Sequence, residues 1–171
     1  IFVLSKFTSS LTFTVGGTLN VAMATQSKTL VLIAIMCMLI GFGAKAGMFP
    51  LHAWLPAAHP VAPSPASALL SSIVVKCGVL AIIRVVYYIV GPSFIVGTWV
   101  HNVWMVLTLL TVFMGSLLAY KEPILKKRLA YSSVSQVSYV LFGLSVLTSD
   151  GLTGGLLHTL FHVFIKCGLF L

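Results

Sequence analysis

The sequence has few charged residues, and almost none of them are acidic. Charged side chains make up 7% of the 171 residues, against about 25% in soluble domains, and only two are acidic. Those two, Glu122 and Asp150, lie near the ends of apolar runs, so neither is predicted to carry charge through a membrane. A soluble globular domain is therefore excluded.

Cysteine pairs and cofactor motifs are also lacking. The three cysteines lie in apolar runs without CxxC spacing, so we expect them to pack as small apolar residues. The sequence contains no flavin, iron–sulfur or nucleotide motif. We therefore predict no cofactor, no metal site and no catalytic centre in this chain.

Long apolar runs dominate what remains. Hydrophobic residues are 59% of the chain, and the mean hydropathy is +1.12. Five runs of about 20 residues can each cross a hydrocarbon core about 30 Å thick. They do not alternate as barrel strands do, so the spans must be helices. The sequence thus predicts an integral membrane protein of the all-α class, a polytopic bundle forming one transmembrane domain over residues 1–171.

The expected spans can be placed along the chain. Five full spans are predicted at residues 29–49, 66–90, 93–120, 129–147 and 152–171, and a truncated first one within residues 1–24. The chain begins with Ile1 rather than Met, and Leu171 falls inside an apolar run. We expect it to be a central fragment of a larger subunit.

A broken helix is predicted around residues 41–50. Gly41, Gly43 and Gly47 crowd the second half of one span, and Pro50 follows it. Such glycine density permits an unwound or kinked helix, which transporters use at binding sites. Residues 50–65 contain five prolines, so we expect a short helix or re-entrant piece there, anchored by Trp54.

The basic residues outside the spans set the orientation. Four of them cluster in one connection, at Lys121, Lys126, Lys127 and Arg128. The positive-inside rule places this connection in the cytoplasm, and the count of crossings puts residues 50–65 on the same side. No basic face with interleaved aromatics lies outside the membrane, so the net charge of +8 does not predict nucleic-acid binding.

Five titratable residues inside apolar spans are the candidates for a relay. Lys45 and Lys76 each occupy a span, where a central lysine costs about 2.5–3.5 kcal/mol and marks a functional site by default. His158, His162 and Lys166 recur at i, i+4 and i+8, which puts them on one face of a helix. Side chains of this kind can hand protons along a row through water. The pattern favours a proton relay.

Less specific interpretations of these residues stay open. Either lysine could instead pair with a carboxylate on a partner helix for structure alone. Haem ligation by His158 and His162 is disfavoured because haem normally takes ligands from facing helices. His52 and His59 could cap a broken helix or line a proton entrance. The polar turn at residues 131–139 favours helix packing over a ligand site.

Three motifs follow one another along the chain: GAKAGMFPLHAWLPAAHPVAPSPASALLSSIVVK, LKKRLAYSSVSQVSY and LLHTLFHVFIKCGLFL. Together they resemble the antiporter-type membrane subunits of respiratory complex I, of the L, M and N type. They also resemble subunits of the related multisubunit cation/proton antiporters and membrane-bound hydrogenases. The resemblance implies a 14-helix-type subunit built from two inverted five-helix repeats, each with a broken helix.

The resemblance also implies roles for individual residues. Lys45 matches the lysine of the first broken helix, and Lys76 the lysine that some members carry on the following helix. The stripe of His158, His162 and Lys166 matches that of the helix connecting two half-channels, and Lys126 falls on a basic loop motif. A glutamate partner is expected upstream of residue 1, and a second broken helix beyond residue 171.

The function implied is translocation of protons, with sodium as an alternative. The chain would be a membrane subunit of an NADH dehydrogenase-type complex, and this subunit would have no redox site of its own. The expected partners are other membrane subunits and the lipid bilayer, in the cell inner membrane of a bacterium or archaeon rather than an organelle. The alternative is a non-conducting scaffold or anchor of a redox complex, in which the lysines pair only for structure.

Overall fold

The computed structural model describes residues 1–8 and 17–171, and these residues fold into helices without strands. In chain order the helices are α1 (Phe2–Ser5), α2 (Val21–Gln26), α3 (Lys28–Ala46), α4 (Trp54–Val61), α5 (Ser64–Leu69), α6 (Val75–Ile83), α7 (Pro92–Ile95), α8 (Trp99–Lys121), α9 (Leu125–Ser145) and α10 (Ser149–Phe170). A π-helical turn, Leu70–Val74, joins α5 to α6, and a second π segment, Arg84–Val90, follows α6. The predicted all-α class is confirmed.

Four helices of the described part are long and apolar enough to cross a membrane: Lys28–Ala46, Ser64–Val90, Trp99–Lys121 and Ser149–Phe170. The 21 residues of α9 would extend about 31 Å, also a spanning length, but serines and a glutamine make this helix less apolar. Each of the five predicted full spans thus corresponds to a long helix. The predicted truncated span at 1–24 includes residues 9–16, which lie outside the described residues.

Helix α9 is the centre of the bundle. It packs against α4, α6, α8 and α10, and its buried residues include Val134, Leu141 and Leu144. Its low hydropathy is tolerated because its hydroxyls are hydrogen-bonded. Some donate to the helix's own carbonyls, as Ser138 does to Val134 at 2.9 Å. Others bond neighbouring helices, as Ser133 does to the Ser71 hydroxyl at 2.9 Å. This least apolar of the long helices is therefore an interior one.

The predicted helix break is present, and it begins at Gly47. This glycine has a φ of 85°, a left-handed conformation that closes a helix without the strain a Cβ would add. The Met48 amide donates to the Gly43 carbonyl at 2.7 Å. The indole of Trp54 donates to the Ala44 carbonyl at 2.9 Å, so the start of α4 satisfies a carbonyl at the end of α3.

Hydrogen bonds mark the two ends of the bundle. At one end, Lys126, predicted in the basic connection, lies in the first turn of α9 and donates to the carbonyl of Ala62, at 3.2 Å. The two connections predicted to share one side of the membrane therefore meet. At the other end, Tyr87 donates its hydroxyl to the carbonyl of Leu144, at 3.0 Å. The broken helix and the basic connection thus form one end of the structure.

Candidate functional site

Three of the five predicted relay residues are buried within the bundle. Lys76 on α6 is 5% exposed, and His162 and Lys166 on α10 are 4% and 3% exposed. Helix α10 packs along α5 and the π-helical turn, which brings its stripe toward Lys76. The His162 ring lies within electrostatic range of both lysines and of His158. The structure therefore places two lysines and one histidine close together in the interior of the bundle.

Lys76 is held by the π-helical turn that precedes it. Its ammonium group donates to the backbone carbonyl of Ser71. The hydroxyl of Ser71 in turn bonds Ser133 of α9. A π-helical turn departs from the regular hydrogen-bond ladder of an α-helix, and such turns are frequent at functional sites. This irregular backbone links the lysine to α9.

Lys166 is held by the first turns of α9. Its ammonium group donates to the Leu129 carbonyl at 3.0 Å and to the hydroxyl of Ser132. A lysine ammonium has three donors, so these two contacts satisfy most of its hydrogen-bonding capacity without a carboxylate. Buried charge in this protein is thus held by backbone and hydroxyl oxygens.

The two stripe histidines differ in their partners. The Nε2 atom of His158 lies 3.0 Å from Oε1 of Gln136 on α9. The rings of His158 and His162 stack, with centroids 6.3 Å apart and planes 14° apart. Both ring nitrogens of His162 are buried and have no hydrogen-bond partner among the residues that the structure describes. Since buried polar groups are usually paired, His162 is a candidate for exchange with mobile partners such as water.

Lys45 is not brought to this buried group. It is exposed in the last turn of α3 and lines a surface groove with Gly41, Pro50 and Trp54. The next residue, Ala46, is buried, and one helical step of about 100° turns the Lys45 side chain away from that face. Among the described residues, no hydrogen bond joins Lys45 to the buried group. Lys45 therefore lies at the helix break, apart from the buried lysines and histidine.

The two histidines of the connection lie at different depths. His59 is fully buried, and its ring stacks on Phe170 with centroids 4.6 Å apart and planes 11° apart. Burial, with the positive charges of Lys166 and Lys126, lowers the pKa of His59 to about 4, so its ring is neutral at pH 7. His52 is half-buried against Phe49, and burial lowers the pKa of His52 as well.

The basic connection is structurally engaged. Lys127 forms an ion pair with Glu122, at 3.6 Å, and the guanidinium of Arg128 donates to the Glu122 carbonyl at 2.9 Å. Lys126 reaches across to Ala62, the residue that closes α4. A cation at the end of a helix is favourable because the carbonyls there carry partial negative charge. Lys126 therefore fixes the end of the short helix after the break, while Lys127 and Arg128 hold Glu122.

Replacing Lys126 with methionine should destabilise the fold modestly. The change keeps most of the apolar stem but removes the hydrogen bond to Ala62, which is worth about 1–2 kcal/mol for a charged donor. Thermal unfolding of the detergent-solubilised protein would measure the loss. Lys121→Met is the control, since Lys121 is exposed at the end of α8. Equal midpoints for the two variants would contradict this role for Lys126.

The α9 residues that hold the stripe were not predicted from the sequence. Ser132 and Gln136 belong to the polar turn that was assigned to helix packing, yet they bond Lys166 and His158. Their spacing of four residues places them on one face of α9, as the stripe lies on one face of α10. The spacing of residues shows that each helix has one polar face, but it does not show which faces of two helices contact each other.

Comparison with known proteins gives a consistent result. The family described as "NADH:quinone oxidoreductase/Mrp antiporter, TM" matches residues 1–171. Hydrogenase-4 component B of Escherichia coli is 40% identical over 142 residues, covering 77% of this chain and 21% of that protein. NADH-quinone oxidoreductase subunit N of Desulforudis audaxviator is 34% identical over 151 residues, covering 85% and 29%.

Solved structures show the same similarity. A chain of the Mrp complex from Dietzia sp. DQ12-45-1b superposes with a TM-score of 0.79 at 28% identity, over 99% of this chain and 31% of that one. A chain of the membrane-bound sulfane sulfur reductase, an archaeal respiratory membrane complex, gives 0.73 at 29% identity, over 83% and 29%. The chain therefore spans less than a third of the length of each of these four proteins.

Proposed function

The chain belongs to the NADH:quinone oxidoreductase/Mrp antiporter transmembrane family, and from this premise we propose that it translocates protons, with sodium/proton exchange as the alternative, through a row of Lys45, Lys76, His158, His162 and Lys166. The observation that carries the proposal is the burial of Lys76, His162 and Lys166 together in the bundle. Family membership makes it an antiporter-like integral membrane subunit.

The electrostatics of that group support coupling between its members. Lys76 and Lys166 are within electrostatic range of each other, in surroundings of low dielectric. Two positive charges so placed raise each other's energy, so a proton bound at one lysine favours proton loss from the other. A proton relay needs such coupling, because the arrival of a proton at one lysine promotes the release of a proton from the other.

The histidines are the proposed intermediates of the row. The imidazole of His162 can accept a proton at one nitrogen and release it from the other, and neither nitrogen is hydrogen-bonded within the described part of the chain. His158 stacks on it and is only half-buried, so it extends the row toward the surface of the bundle. Water between the side chains would complete the transfers.

Lys45 enters the row from the exposed side of the helix break. A lysine exposed on a membrane helix needs a partner or water, and the groove beside Pro50 leaves space for either. The proposed partner is a carboxylate on a helix outside this chain. His52 and His59 flank the same connection, and we propose that they line an entrance for protons.

The proposed setting is a larger membrane complex. The similar proteins are components of a hydrogenase, an NADH-quinone oxidoreductase, an Mrp complex and a respiratory sulfur reductase, which supports other membrane subunits as partners. We propose that this subunit has no redox cofactor and acts in the cell membrane of a bacterium or archaeon. Its role would be to couple the redox chemistry of its partners to ion movement.

Replacing Lys45 tests how the exposed lysine joins the row. Lys45→Ala in the intact complex should slow proton translocation by about tenfold or more, since general acid–base groups contribute at least that much. Lys45→Arg should be as slow, because a guanidinium does not release its proton. Proton uptake into proteoliposomes would measure both. A normal rate in Lys45→Arg together with a slow one in Lys45→Ala would favour the scaffold alternative at this position.

A further inference from the structure

The polar turn of α9 contains two groups of side chains that serve different neighbours. Ser133 bonds Ser71 at 2.9 Å, and Ser135 bonds Ser116 of α8 at 2.8 Å. These hydroxyl pairs join α9 to the helices on two sides, which is the packing role predicted for the turn. Nothing in these contacts involves the stripe of α10.

Ser132 and Gln136 face α10 instead. The hydroxyl of Ser132 contacts the ammonium group of Lys166, and Oε1 of Gln136 lies 3.0 Å from Nε2 of His158. A short connection joins α9 to α10, so the helices run antiparallel. The earlier residue of α9 therefore meets the later residue of the stripe. Both ends of the stripe are thus held by one turn of α9.

We propose that Ser132 and Gln136 are positioning residues for the relay: Ser132 serves Lys166 in both of its protonation states, and Gln136 determines which nitrogen of His158 carries the proton. This inference rests on the proposed function of the row. It assigns a second role to part of a turn that otherwise joins helices.

The chemistry of the hydroxyl explains the role of Ser132. When Lys166 carries a proton, its ammonium needs acceptors, and the Leu129 carbonyl and the Ser132 oxygen supply two. After proton loss the amine has a lone pair that needs a donor. A carbonyl cannot donate, but a hydroxyl can. The Ser132 hydrogen, which now points to the Leu129 carbonyl at 2.9 Å, can rotate toward the amine.

The amide of Gln136 acts on His158 in a different way. Its Oε1 accepts a hydrogen bond, so the proton of the neutral ring lies on Nε2 and the lone pair on Nδ1. A partner at one imidazole nitrogen fixes the chemical state of the other in this manner. His158 is therefore held ready to accept a proton at Nδ1.

Threonine and valine at position 132 provide a matched test, because they differ mainly in a hydroxyl against a methyl. In the intact complex, Ser132→Val should slow proton translocation by about tenfold, as expected for one hydrogen bond to a charged group, while Ser132→Thr stays within about twofold of the wild type. The pH at which the rate halves on the alkaline side should fall in Ser132→Val only, since the ammonium loses an acceptor. Ser132→Ala is a further variant that removes the hydroxyl without adding a branch, in case threonine and valine both fit poorly at this position.

Two further variants separate the possible failures. Ser135→Ala removes a hydrogen bond of the same turn that faces α8, and should keep both the rate and the pH profile. If Ser132→Ala and Ser132→Val behave like Ser135→Ala while Lys166→Ala abolishes translocation, the inference is wrong and the relay stands. If Lys166→Ala translocates normally, the relay fails and this inference with it.

The second half of the proposal has a spectroscopic test. In ¹⁵N-histidine-labelled protein, the signals of His158, identified by their loss in His158→Gln, should report a ring protonated at Nε2. Gln136→Leu should lose this preference, whereas Gln136→Asn, with its amide one methylene shorter, is the partial rescue. An unchanged tautomer in Gln136→Leu would overturn the role of Gln136.

Discussion

Lys76→Ala is expected to slow proton translocation by about a hundredfold or more. General acid–base groups contribute roughly that factor or above, and the buried group around His162 would lose one of its two coupled charges. Initial rates of proton uptake by proteoliposomes containing the intact complex would measure the loss. Immunoblots of the membranes would normalise the rates for protein content.

Two variants distinguish relay from support at this position. Lys76→Arg preserves the positive charge and can still donate to the Ser71 carbonyl, but a guanidinium remains protonated. A relay should therefore fail in this variant, whereas a purely structural pair should survive. Cys77→Ala alters the adjacent, exposed residue of the same helix and should pump normally. Full pumping by both Lys76 variants at normal protein content would refute the relay.

Gly78→Ala is expected to destabilise the bundle by about 1–3 kcal/mol, the usual cost of forcing an extra group into a packed core. A Cβ at this position would lie 2.7 Å from the Phe42 carbonyl oxygen and 2.8 Å from the Ala46 amide nitrogen. Both atoms belong to the backbone of α3, so neither can move aside without moving the helix. The variant should separate α3 from α6 and displace Lys76, two residues away.

Gly154→Ala is the matched control on α10. A Cβ there meets nothing within 4 Å, and alanine favours a helix over glycine by about 0.5–1 kcal/mol. Thermal unfolding of the purified protein should thus shift downward for Gly78→Ala and stay level or rise for Gly154→Ala. A midpoint for Gly78→Ala at or above that of the wild type would show that the close approach of α3 to α6 is not required.

The central helix shows where hydropathy and position disagree. By composition α9 is the least apolar of the long helices, yet it packs against neighbours on several sides. Its serines are tolerated there because partners such as Ser71 and Ser116 satisfy them. An interior helix tolerates polar residues because neighbouring helices offer hydrogen-bond partners, whereas lipid tails offer none. The polar turn was predicted to pack against neighbouring helices, but the sequence did not show that part of it contacts the stripe instead.

Properties that depend on local order along the chain can be predicted from the amino-acid sequence alone. Apolar runs fixed the spans, glycines and prolines fixed the break after Gly47, and spacing put His158, His162 and Lys166 on one helix face. Each follows from hydrogen bonding within a helix or from the side-chain period, for which no distant residue is needed.

Which helix faces meet depends on the packing of the helices in three dimensions. This packing turned Lys76 inward toward α10 and left Lys45 exposed at the break, although both are lysines in apolar spans. It also paired Ser132 with Lys166 and Gln136 with His158. These outcomes depend on the rotation of each helix about its own axis. Contacts such as that of Gly78 with α3 set this rotation, and they join residues far apart in the chain.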